Sequence, residues 1–276
     1  MSLNVGDFTK VRDDLGKVVY SAAKLSVVTS GRTVSEWSHE YASYIFAKMC
    51  AHALSALALA PTGLIPAQPR ATEIWDLPSL CAIVRALIDA YYAMYYIAVD
   101  QVSSVERSFR EALWTFQGEQ KRLDLLRLIK SKSPELPKLQ GEVDRLRTVV
   151  IQHSFFADLS PENRKKARKG DLPLHISNSE LSIRAGIQPD YYKAAYRFLS
   201  SYVHTYPFSV SQLAQLRAGS SESLHLISTT LQYCLAFLCV AVRDFCTLFP
   251  DVAGLVGQDV DEIIEVWVYV IANAAN

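Results

Sequence analysis

Arg197 and His204 stand seven positions apart in the run Tyr196-Arg-Phe-Leu-Ser-Ser-Tyr-Val-His204-Thr-Tyr-Pro207. In a helix, about 100° per residue brings the seventh position back to nearly the same face, about 10 Å further along the axis. Arg197, Ser200, Ser201 and His204 then form one polar stripe on an otherwise apolar helix, and Pro207 closes that helix so that the histidine sits in its last turn or just past it. Histidine can take the proton from a ribose 2′-hydroxyl or protonate a leaving oxygen, and arginine can stabilise the charge that grows on a phosphate. Metal-independent cleavage of RNA needs little more than such groups, correctly placed. About 10 Å is long for both to grip one phosphate. A homodimer in which each helix lends its His204 to the other's Arg197 would bring them together. The other reading is structural: His204 hydrogen-bonds Ser200 or caps the helix end, and Arg197 pairs internally, for instance with Asp89.

Two further groups bear on the same chemistry. Arg85 and Asp89 are the only charges between Pro78 and Asp100, and their i,i+4 spacing lets them pair. They either fix packing as an ion pair or support the site from behind. From Gly118 to Gly170 there are 13 basic and 7 acidic residues, a net of +6, while the remainder holds 15 basic and 21 acidic. Lys165, Lys166, Arg168 and Lys169 lie in that basic stretch and could guide a phosphate backbone. A solvated helix face would look the same, and the cluster lacks the interleaved aromatics of a base-stacking surface.

Other chemistries lack their residues. The chain has no G-x-x-x-x-G-K-[ST] or G-x-G-x-x-G loop, no H-E-x-x-H and no G-x-S-x-G. His39 and His52 are 13 residues apart on one helix, too far to share a metal. No cofactor or metal is therefore expected. Lysine plus arginine equals aspartate plus glutamate at 28 each, so no global charge drives the chain to nucleic acid or to a membrane surface. Cys50, Cys81, Cys234, Cys239 and Cys246 all fall in apolar helical stretches and read as reduced core residues of a cytoplasmic protein. Residues 1–14 show no basic lead into an apolar run, so no signal peptide is expected. Leu224 to Phe249 is the most membrane-like stretch, but Ser228, Thr229, Thr230 and Gln232 dilute it, which favours a buried helix over a spanning one.

Helical periodicity recurs from end to end, without runs of alternating β-branched residues, so the fold class is all-α. The spacing predicts helices over about 7–28, 35–60, 78–101, 102–130, 138–158, 161–169, 189–206, 222–249 and 260–274, with short helical turns near Ser179 and at 209–216 and a proline-rich loop at 61–78. Ser35 reads as an N-cap, as do Asp76, Ser160 and Ser220. The expected organisation is a single domain over 1–276, a bundle of long antiparallel helices with its core at about 35–116 and 189–274 and a protruding charged hairpin at about 118–170.

Arg197, six residues and His204 near the end of a helix in an all-α chain resemble the R-x4-6-H motif of the HEPN superfamily. Leu80-Cys-Ala-Ile-Val-Arg85-Ala-Leu-Ile-Asp89 taken with Tyr196 to His204 is similar to an uncharacterised bacterial HEPN-like family, over roughly Ser35 to Phe208. The resemblance implies a multi-helix bundle and a homodimeric, metal-independent endoribonuclease of the toxin or phage-defence kind. Arg197 would be its phosphate-stabilising residue and His204 its general acid or base. It also leaves room for a protein partner encoded in the same operon. A non-catalytic interaction module of the same fold is the alternative.

Overall fold

The computed structural model describes residues 5–34, 36–62 and 75–274, and every regular element in them is helical. In chain order the helices are α1 (Val5–Thr29), α2 (Trp37–Leu59), α3 (Leu77–Met94), α4 (Ser104–Leu128), α5 (Leu136–Gln152), α6 (Pro161–Lys169), α7 (Asn178–Arg184), α8 (Pro189–Val203), α9 (Pro207–Gln215), α10 (Ser221–Leu248) and α11 (Gln258–Asn273). The all-α reading therefore holds. The proposed cap at Ser35, most of the proline-rich loop and the chain ends at 1–4 and 275–276 lie outside the described residues.

The capping rules act where the sequence placed them. Asp76 accepts the Ser79 amide at 3.0 Å, Ser160 that of Asn163 and Ser220 that of Ser223, both at 3.2 Å, so each helix start has one of its free donors satisfied. Gly170 closes α6 at φ 71°, and a Cβ there would come within 2.5 Å of Gln120 Cγ, so both backbone and space require glycine.

The chain forms two compact units, residues 1–99 with 179–276 and residues 100–178. In the first, α10 packs against α1, α2, α3 and α11, and α3 also packs against α2 and α8. This follows from composition: α10 and α3 are apolar nearly all round, and such a helix must be covered on most sides. Phe46 of α2 stacks on Phe245 of α10 with ring centroids 3.9 Å apart. Among the described residues three helical stretches, 37–59, 77–99 and 221–248, are long and apolar enough to cross a bilayer, yet most of the apolar window of the last two is buried within the chain itself. The cysteine thiols are unpaired, and burial pushes those of Cys50, Cys81 and Cys234 up to about 12. Some polar groups in this core are paired across helices: Tyr91 donates to Asp244 at 2.9 Å, and the Tyr92 and Ser182 hydroxyls are 2.6 Å apart.

The second unit has its own core. Phe109, Leu113, Phe116 and Leu123 of α4 meet Leu139, Val143, Leu146 and Val150 of α5, all at helical spacing, and Phe156, Leu159, Ala167 and Leu172 close it. The boundary thus falls at Asp100 and Asn178, not at 118 and 170, because the first half of α4 packs with α5 and the following turn. Arg110 is buried at 1% exposure and is held by Asp100 at 2.7 Å and by Glu106 at 2.5 Å.

Candidate functional site

Helix α8 buries Tyr192, Ala195, Leu199 and Tyr202 at spacings of three and four. Tyr196 and Ser200 flank that face half-buried, and Arg197 is turned to solvent. Phe198, beside the arginine, packs edge-on against Tyr202 with centroids 5.4 Å apart. The helix stops where Pro207 predicts. His204 is its C-cap, its amide bonded to Ser200 O at 3.1 Å, and Thr205 follows with φ 53°. That left-handed geometry usually falls to glycine, and a β-branched residue adopts it at a cost of about 1–2 kcal/mol. Thr205→Gly is accordingly expected to raise stability by about 1 kcal/mol, read as a higher melting temperature.

The turn leaves the His204 ring exposed and within reach of α3. Its Nε2 lies 3.0 Å from Arg85 Nη1. Arginine has no acceptor, so Nε2 accepts and the neutral ring carries its proton on Nδ1. Arg85 Nη2 donates to the Tyr196 hydroxyl at 2.6 Å, and the guanidinium carbon lies 4.7 Å from the centroid of the same ring. Arg85 Nε is buried without a partner, as is Ser200 Oγ. Both atoms are closed to solvent, so only a movement of the side chains would let a ligand reach them.

Within one chain Arg197 and His204 stay apart, as their spacing requires, and the internal pairing of Arg197 with Asp89 is not formed. Arg197 makes neither a hydrogen bond nor an ion pair with His204 or Asp89 among the described residues; its carbonyl accepts from the Ser201 hydroxyl at 2.8 Å. The arginine that meets His204 is Arg85. Ser201 is spent on a helix back-bond, and Ser200 bonds His204 through its carbonyl and not its hydroxyl. Nor do Arg85 and Asp89 form a direct ion pair, because both terminal nitrogens of Arg85 reach across to α8. Asp89 keeps an exposed surface, yet the protein packed around its carboxyl raises the pKa, and the charges of Arg85 and Lys48 oppose that rise.

Sequence reasoning missed Lys48 and gave Tyr196 no role. Lys48 lies one turn from His52 on α2, and both interrupt an otherwise apolar face. Burial lowers the His52 pKa, with the Lys48 charge adding to the effect, and its Nε2 is buried without a partner. The signal available was that i,i+4 pair of basic side chains in a helix with little other charge.

The basic residues of α6 belong to the second unit. Lys166 is tied to Glu162 at 2.7 Å, and Arg168 lies over the Phe156 ring at 5.1 Å. Lys165 and Lys169 are exposed. Among the described residues no three His, Cys, Asp or Glu side chains converge as a metal set.

Comparison with curated proteins and with solved structures found no match. Residues 39–220 span α2 to the start of α10 and so include Arg85, Tyr196 and His204; they match the family described as a family of unknown function (DUF5677), and the protein belongs to that family.

Proposed function

We propose that this chain is a metal-independent endoribonuclease of the HEPN kind, cytoplasmic and homodimeric, with a role as a toxin or phage-defence effector. The observation that carries the reading is the exposed contact between His204 Nε2 and Arg85. In the resting arrangement the guanidinium covers the lone pair of the base. A phosphodiester of RNA offers the guanidinium a stronger, charge-assisted acceptor. As Arg85 turns to the phosphate, Nε2 is freed to take the 2′-hydroxyl proton. The 2′-oxygen then attacks phosphorus, the bond to the 5′-oxygen breaks, and that oxygen takes a proton from water, giving a 2′,3′-cyclic phosphate and a 5′-hydroxyl, while His204 gives up its proton to the hydroxide left behind. Arg197, exposed on the next face of α8, and Lys165 and Lys169 of α6 would attract the RNA backbone.

The test is cleavage of end-labelled RNA by the purified full chain with a chelator present. His204→Ala is expected to lower the rate by about 10²- to 10⁴-fold while the melting temperature stays near that of the parent chain. No cleavage by the parent chain at enzyme excess, or full activity of the variant, overturns the reading.

The alternative is a non-catalytic helical interaction module. The same contact supports it, since Arg85 ties α3 to the end of α8 and so closes a helix terminus. It predicts a lower melting temperature for His204→Ala and no cut RNA.

A further inference from the structure

The tip of the α4–α5 hairpin carries a feature that the site on α3 and α8 does not use. Leu125, Leu128 and Ile129 are related by three and four residues, so they share one face of the last turn of α4. They are 59%, 79% and 64% exposed, although Leu123 and Leu126 beside them face the core of the unit. The turn that presents them is well defined: the Ser131 amide bonds Leu126 O and the Lys130 amide bonds Arg127 O, both at 2.9 Å, with Lys130 at φ 52°.

Charge sets the kind of surface this tip suits. From Arg122 to Lys138 there are five basic residues and two acidic ones. Both acids are engaged, Asp124 by Gln120 at 2.8 Å and Lys121 at 3.9 Å, Glu135 by Lys138 at 3.9 Å. Lys130 and Lys132 are exposed and their side chains make no bond among the described residues. Area narrows the choice further. Three aliphatic side chains offer roughly a few hundred Å², short of the about 800 Å² per partner that a stable protein interface needs. An anionic bilayer needs no matching groove: it takes up aliphatic side chains at the headgroup boundary and attracts lysines beside them.

We propose that the α4–α5 tip is a peripheral membrane contact, in which Leu125, Leu128 and Ile129 enter the interface of an anionic phospholipid surface and Lys130 and Lys132 pair with its headgroups. The contact is weak for one copy and strengthens when several copies are held together. It does not depend on the ribonuclease reading.

The experiment is co-sedimentation of the full chain with vesicles of phosphatidylcholine alone and of phosphatidylcholine mixed with phosphatidylglycerol. Binding is expected to the anionic vesicles only and to fall as salt is raised. Leu128→Ser with Ile129→Ser, and separately Lys130→Glu with Lys132→Glu, should each lower the bound fraction by about tenfold or more. These side chains are exposed, so the circular dichroism spectrum should not change. As an independent reading, Leu128→Trp should shift its emission to the blue when anionic vesicles are added. No binding, equal binding to both vesicle types, or unchanged binding by the variants overturns the proposal. So does a tip-dependent dimer that ignores vesicles, which would assign the face to a second copy.

Discussion

Arg85→Met is expected to lower RNA cleavage by about 10²- to 10³-fold, the loss that follows removal of one preorganised charge from a developing oxyanion, whereas Arg197→Met leaves the rate within about threefold. The asymmetry follows from geometry. Arg85 is held against the Tyr196 ring and hydroxyl and reaches His204 at 3.0 Å, while Arg197 is exposed and reaches neither His204 nor Asp89. Arg85→Lys should not restore the rate, since an ammonium cannot hold the tyrosine and a phosphate with the planar fork of a guanidinium. Stability separates chemistry from packing: the lost stacking and hydrogen bonds amount to about 1–2 kcal/mol, too little to unfold the chain. If Arg197→Met is as damaging as Arg85→Met, the arginine that matters acts across two copies. Mixing Arg197→Met with His204→Ala protein should then restore activity by pairing one intact half-site of each. If Arg85 carries the charge within one chain, mixing restores nothing beyond the sum of the parts.

Arg110→Ala is expected to destabilise the 100–178 unit by about 3–5 kcal/mol, because it removes the buried cation that two carboxylates share and leaves a vacancy in its place. Asp100 and Glu106 both point at a guanidinium that is 1% exposed, and His175 Nε2 is 3.4 Å from Glu106. Arg110→Met keeps the volume but should be nearly as harmful, since the loss of the shared positive charge does the damage. Arg110→Met with Asp100→Asn and Glu106→Gln should recover much of the loss. The chain has two compact units, so one melting midpoint is the wrong measure. Hydrogen exchange of the α4 and α5 amides reads the effect directly: protection there should collapse while that of α10 is kept. Uniform loss across both units would mean that they unfold together.

Much of the fold was legible because helix boundaries are local events. A side-chain oxygen three residues before an amide caps a helix wherever the helix lies, and Asp76, Ser160 and Ser220 do so. Pro207 disfavours helical geometry in its neighbour, so His204 had to sit at a helix end. The apolar runs of α3 and α10 had to be covered, and they are. The all-α class, the capped helix starts and the place of His204 at a helix end are thus properties of stretches ten to thirty residues long.

The partner of that histidine is of another kind. Spacing states only which side chains share a face of one helix, so Arg197 and Asp89 looked like the natural partners of His204 and Arg85. The structure joins Arg85 to Tyr196 and His204, which are 111 and 119 residues away, because α3 and α8 pack side by side. That choice depends on how the apolar faces of several distant helices fit together, and no local rule contains it. The same holds for the unit boundary at Asp100: the charge bias began at 118, but the buried residues Phe109, Leu113 and Phe116 assign the start of α4 to the second core. Sequence alone determined that the chain is helical and where caps and prolines begin or end several of its helices; tertiary packing decided which arginine stands beside the histidine.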